Sequence, residues 1–110
     1  MNFKIDAIPN FKREAKQLVK KFLSLKNELA NLEQALQNDP YKGIPLGSNC
    51  YKIRLAIESK GKGKRGGARV ITYVYIEKTT VYLLTIFDKS EQENLSDKDL
   101  KELIKAAKAS

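Results

Sequence analysis

Three consecutive segments decide how this chain folds: Cys50-Tyr51-Lys52-Ile53-Arg54-Leu55, a basic glycine-rich stretch from Lys60 to Arg69, and Val70-Ile71-Thr72-Tyr73-Val74-Tyr75. The first and last alternate with period two, the pattern of strands that bury one face. In the first, Tyr51, Ile53, Leu55 and Ile57 share a face opposite Cys50, Lys52, Arg54 and Ala56. In the last, Ala68, Val70, Thr72, Val74 and Ile76 lie opposite Arg69, Ile71, Tyr73 and Tyr75. Glu77-Lys78-Thr79-Thr80 then turns the chain into Val81-Tyr82-Leu83-Leu84-Thr85-Ile86-Phe87. Two long β-branched and aromatic runs with so short a join predict an antiparallel hairpin.

On the N-terminal side, Phe3, Ile5 and Ala7 alternate with Lys4 and Asp6, which predicts a strand stopped by Pro9-Asn10. Phe11, Ala15, Leu18, Val19 and Phe22 then fall three or four apart, with Lys12, Arg13, Lys16, Lys20 and Lys21 on the other side. Leu25, Leu29, Leu32 and Leu36 continue at helical spacing after a break near Ser24 to Lys26. A helical hairpin closed by Asn38-Asp39-Pro40 follows. Residues 41–49 hold two glycines and a proline and read as a loop. At the C-terminal end Ser96, with Asp99 three residues on, starts a helix whose stripe is Leu100, Leu103, Ile104 and Ala107. The expected architecture is α+β, one domain over residues 1–110: an N-terminal strand, a helical hairpin, three antiparallel strands and a C-terminal helix, with the helices mainly on one face of the sheet.

The charge is unevenly placed. The chain carries +8 at neutral pH, and between Tyr41 and Ile76 eight cations (Lys42, Lys52, Arg54, Lys60, Lys62, Lys64, Arg65 and Arg69) meet only Glu58. A field so concentrated suits a polyanion, with nucleic acid the first choice. Lys52, Arg54 and Arg69 form the sharpest group, because alternate residues of one strand and a residue entering its neighbour can converge on a single phosphate. The glycines of the basic stretch keep it adaptable, so Lys60, Lys62, Lys64 and Arg65 can settle on an RNA backbone. Tyr73 and Tyr75 serve either as base-stacking surfaces or as packing.

Several chemistries are excluded or disfavoured. With no His and a single Cys, Cys50, the chain offers neither zinc-ligand spacing nor an internal disulfide, so no metal and no cofactor are expected. The lack of His leaves any proton transfer to Lys, Glu, Asp or Tyr. No apolar run reaches the length of a membrane span and no signal-peptide core opens the chain, so a cytoplasmic protein without a membrane partner is expected. Gly61-Lys62-Gly63-Lys64-Arg65-Gly66 matches G-x-G-x-x-G, but a strand follows it where a dinucleotide site requires a helix.

Cys50-Tyr51-Lys52-Ile53-Arg54, the stretch Lys60-Gly61-Lys62-Gly63-Lys64-Arg65-Gly66-Gly67-Ala68-Arg69-Val70, and Lys89-Ser90-Glu91-Gln92-Glu93-Asn94-Leu95 together resemble the RelE/ParE toxin superfamily. The likeness is to its HigB-like branch, with a Lys-Gly-x-Gly-Lys-x-Gly-Gly-x-Arg-Val loop and a Lys-x-Glu-x-x-x-Leu segment. It implies a RelE-like fold and the toxin of a type II toxin–antitoxin system, a ribosome-dependent mRNA endoribonuclease that enters the ribosomal A site and inhibits translation. It also implies a cognate antitoxin, in a complex that often binds operator DNA. By this resemblance Lys52, Arg54 and Arg69 take catalytic or phosphate-holding positions, and Lys89 lies in a further functional segment. Attack of the ribose 2′-OH on its neighbouring phosphate needs a base, for which Lys52 is the candidate. Arg54 and Arg69 would stabilise the added negative charge, and Lys89 or Arg54 would protonate the leaving oxygen. The Tyr that some members carry beyond the last strand has no counterpart, Asn94 and Leu95 standing there, so the identity of base and acid stays open. A ParE-like toxin acting on DNA gyrase and a basic RNA-binding accessory protein are the alternatives.

Overall fold

In the computed structural model, which describes residues 2–61, 63–92 and 94–110, the predicted hairpin forms the middle of the sheet. The side chain of Lys64 also lies outside the described part. Strands β4 (Ala68–Tyr75) and β5 (Thr80–Asp88) pair antiparallel from Ala68↔Asp88 to Tyr75↔Thr80, with a bulge between Ile71 and Thr72. Their Val, Ile, Leu, Tyr and Thr side chains suit a pleated surface covered on both sides, and nearly all of them are buried. A short turn over Ile76–Lys78 and Thr79 in the left-handed region (φ 49°) close the hairpin.

Strand β3 (Cys50–Leu55) pairs antiparallel with the other side of β4, and β1 (Lys4–Ala7) runs parallel to β5. A parallel neighbour needs a long crossover, and the helical hairpin supplies it. Helix α1 (Pro9–Lys21) begins with proline at a position whose N–H would have no partner anyway. Helix α2 (Leu25–Asn38) buries Leu25, Leu32 and Leu36. Asn10 and Glu14 tie α1 to β5: Asn10 Nδ2 donates to the Leu84 carbonyl at 3.1 Å, and the Thr85 hydroxyl donates to Glu14 Oε1 at 2.7 Å. The C-terminal helix, Asp97–Lys108, starts as expected, with the Asp99 N–H donating to the Ser96 hydroxyl at 3.1 Å and Asp97 and Asp99 in the first turn.

The structure departs from the sequence reading in three places. Part of the expected loop at 41–49 is a fifth strand, β2 (Ile44–Gly47), which gives the sheet order β1-β5-β4-β3-β2. Pro45 is compatible with it because β2 is an edge, and Ser48 and Asn49, both at positive φ (55° and 61°), form a two-residue hairpin turn into Cys50. The basic stretch is folded, not loose: a short turn at Glu58–Lys60 is followed by a single helical turn, α3 (Gly63–Gly66). Lastly, the helices use both faces. Leu32 and Ala35 of α2 share a hollow with Ile53 and Leu55, whereas Lys108, on the C-terminal helix (α4), sits over the ring of Tyr73, which belongs to the opposite face of β4. Because α4 covers only the Cys50–Tyr73–Tyr82 end of its face, the end bearing Lys52, Arg54 and Arg69 is left open.

Candidate nucleic-acid interface and active site

The open end of that face is a cleft of about 260 Å³ lined by Lys52, Arg54, Arg65, Arg69, Lys89 and Asn94. Each arrives by a traceable route. Lys52 and Arg54 are alternate residues of β3 and so project to one face, and Arg69 lies directly across the ladder from Arg54. Lys89 follows the last residue of β5, its N–H donating to the Gly67 carbonyl at 3.0 Å. A side chain at Gly67 would place its Cβ 2.1 Å from the Leu55 carbonyl oxygen, so glycine is what lets this crossing close over the end of β3. Arg65 comes from α3, and Asn94 from the segment before α4, where its Oδ1 accepts from Lys52 Nζ at 3.4 Å.

Arg69 is the fixed member, only 4% exposed, with Nη1 donating to the Ala68 carbonyl at 3.0 Å and Nη2 to the Arg65 carbonyl at 3.3 Å. Those bonds also anchor α3, which carries Arg65. Among the described residues the cleft is lined by five cations and one amide, with no carboxylate, thiol or imidazole. Such a donor set suits an oxyanion and offers nothing to a divalent cation. A larger hollow of about 420 Å³ between α1 and the end of β5 is lined by Glu14, Asp88, Glu91 and Lys21; Lys21 pairs with Glu91 at 3.2 Å and Asp88 with Lys60, so the hollow holds no surplus of cations for a polyanion.

Of the residues singled out by sequence, Lys52, Arg54, Arg69, Lys89 and Arg65 come together in the cleft. Lys60 does not. Its ammonium is paired with the carboxylate of Asp88, the side chains being 11% and 1% exposed, and it lies 5.7 Å from the Phe22 ring centre. It therefore pins the basic stretch to the end of β5 instead of reaching for RNA. Burial alone would raise the Asp88 carboxyl, but the bond from Lys60 and those from the Ser90 N–H and hydroxyl hold it below the usual carboxylate value. Of the two roles left open for Tyr73, the structure favours packing. It is 6% exposed and lies against Tyr82 with ring centres 6.4 Å apart and planes at 18°, with Lys108 Nζ 6.0 Å from its own ring centre. No ring face is left for a base. Lys62 and the side chain of Lys64, expected to bind RNA, lie outside the described residues. Cys50 is buried, and burial pushes its thiol up to about 11, which suits packing and not nucleophilic chemistry. Asn94, named from the sequence only as standing where some family members carry Tyr, was given no role: a neutral amide in an irregular segment carries no charge or periodicity to mark it.

A five-stranded mixed sheet with a helical crossover on one side and an open cationic cleft on the other defines a small α+β domain. Residues 4–110 match the family described as the RelE toxin of the RelE / RelB toxin–antitoxin system, and the chain belongs to that family. Its fold is that of a double mutant of the E. coli toxin RelE in the free state, with a TM-score of 0.61, 18% identity, and 96% of this chain and 97% of that one covered. Isolated E. coli RelE aligns at a TM-score of 0.48 with 18% identity, over 96% of this chain and 98% of that one. Among the described residues no helix is long and apolar enough to cross a membrane.

Proposed function

We propose that this toxin is a ribosome-dependent endoribonuclease that cuts mRNA in the A site. The observation that carries the reading is the convergence of Lys52, Arg54 and Arg69 in one cleft whose described lining holds no acid. Lys52, in its neutral amine form, takes the proton from the ribose 2′-OH, and the freed oxygen attacks the adjacent phosphorus. Arg54 and Arg69 hold the non-bridging oxygens as negative charge builds on them. The bond from phosphorus to the 5′ oxygen breaks, a 2′,3′-cyclic phosphate forms, and Lys89 gives the departing oxygen its proton. No metal or cofactor enters these steps. Arg69, held by two carbonyls, is preorganised, whereas the exposed Arg54 closes on the substrate. The ribosome supplies the alignment of the mRNA, and with it much of the rate.

The family's description supports a cognate antitoxin as partner, and covering this cleft would neutralise the toxin directly. Operator binding by the pair and a cytoplasmic setting accompany this reading. Expression followed by mapping of mRNA 5′ ends tests it. New ends inside translated codons are expected. Double-strand DNA breaks over intact message would instead point to gyrase, and growth arrest with neither would point to an accessory RNA-binding role.

A further inference from the structure

The cationic cleft does not stop at Arg54. Lys52 and Arg54 also line a hollow of about 330 Å³ with Lys42, Gly43, Ile44 and Ile53. Lys42, Ile53 and Arg54 in turn line another of about 310 Å³ against Leu32, Ala35 and Leu55. Shared walls make the three one groove. It leaves the cleft, crosses the edge of β3 just past the last β2 pair, Ile44↔Lys52, and ends on α2.

Its chemistry alternates along its length. The middle hollow is lined by three cations and no acid, while the far hollow is walled by aliphatic side chains. The one acid there, Glu28, is already engaged: Oε1 accepts from the Ser24 hydroxyl at 3.1 Å and Oε2 from the Glu58 N–H at 2.7 Å. Lys42 is exposed and forms no ion pair among the described residues. Gly43 puts it there. At φ +111°, with a Cβ that would stand 2.6 Å from the Lys52 carbonyl oxygen, this position admits only glycine, and that lets the backbone after Lys42 lie against β3.

We infer that this groove carries the RNA strand away from the scissile phosphate, with Lys42 gripping a flanking phosphate and the hollow among Leu32, Ala35 and Leu55 taking a flanking base. The inference rests on the nuclease reading above and adds a positioning residue outside the cleft. Sequence-tolerant single-strand binders combine a cationic track for the backbone with side chains that pack the bases, usually aromatic rings; here aliphatic side chains would meet the base.

The test measures binding of uncleavable 2′-O-methyl oligoribonucleotides, a dinucleotide with one phosphodiester and a hexanucleotide, across a salt series. Lys42→Ala should lower the slope of log K against log salt by about 0.7 for the hexanucleotide, the share of one phosphate contact on a single strand, and leave the dinucleotide slope unchanged. Lys42→Arg should restore it. A wild-type slope in Lys42→Ala, with message cleavage retained, overturns the groove and spares the nuclease. Wild-type protein that binds neither oligonucleotide and cuts no message overturns both. Normal RNA slopes with weakened antitoxin binding would assign Lys42 to a protein contact and overturn the inference.

Discussion

Arg54 and Arg69 face each other across the β3–β4 ladder, two like charges on directly opposed positions. Such a pair costs roughly 0.2–1 kcal/mol against neutral neighbours. Arg69 is buried and bonded to two backbone carbonyls, whereas Arg54 is exposed. Arg54→Ala should therefore leave the melting temperature unchanged or slightly higher while slowing cleavage on programmed ribosomes by about 10²–10³-fold, the usual loss for one transition-state donor. Wild-type cleavage by this variant would remove Arg54 from the chemistry.

Lys52 makes a different prediction, because its proposed task is proton transfer. Lys52→Ala should lower the single-turnover rate by about 10²–10⁴-fold. Lys52→Arg keeps the charge but gives a group that does not release its proton, so it should bind RNA like the wild type and cut no better than the alanine variant. Asn94, whose amide oxygen meets Lys52 Nζ at 3.4 Å, orients that side chain, and Asn94→Ala should cost less than either change. Cleavage rescued by arginine would show that Lys52 acts through charge alone.

Lys60 and Asp88 predict a stability effect. Removing one partner of a buried pair leaves the other charge uncompensated, a loss of about 3–5 kcal/mol, so Asp88→Asn should unfold at clearly lower denaturant concentration. The Asp88 carboxyl is held below its ordinary value of 3.8 in the folded chain. Its contribution is thus fully present above that value and is lost as pH falls through the lower folded one. Denaturant melts between neutral pH and about pH 3 should show an acid limb that shrinks in Asp88→Asn. An acid limb of equal size in both proteins would mean the pair contributes nothing there. Arg65 and Lys89 flank the same small pocket as Lys60, so cleavage should fall along with stability.

Most of the fold was legible because it rests on strong patterns: period two in β3 and β4, the continuous β-branched and aromatic run of β5, and helical spacing in Phe11 to Phe22 and Leu25 to Leu36. What hid was where local chemistry and tertiary context disagree. Gly43, Pro45 and Gly47 read as loop, yet the ladder offered by β3 organises Ile44–Gly47 as an edge strand that composition alone disfavours. In the cleft, Lys52, Arg54 and Arg69 could be placed because strand alternation and pairing fix directions in advance. Lys60 could not, since nothing local distinguishes a lysine that will find a buried aspartate 28 positions away from one that will stay in water. Tyr73 stayed ambiguous for a related reason: the face it shares with Arg69 is open at one end and capped by α4 at the other, which the strand pattern does not reveal.

Thr72 sits at the β4 bulge, fully buried, and its hydroxyl has no hydrogen-bond partner among the described residues. An unsatisfied buried hydroxyl costs about 1–3 kcal/mol, and replacing it by a group of the same shape removes that cost. Valine keeps the β-branch that suits the strand and adds no volume that Tyr51 and Leu83, its neighbours across the ladders, must accommodate. Thr72→Val should therefore stabilise the protein by about 1 kcal/mol, raising the melting temperature by roughly 4 °C in a domain of this size. Cleavage should be unchanged, because Thr72 lies on the opposite face of β4 from Arg69 and lines no part of the cleft. A lower melting temperature in the valine variant would show that the hydroxyl is bonded in solution, and the bulge would then be held by that bond, not by packing alone.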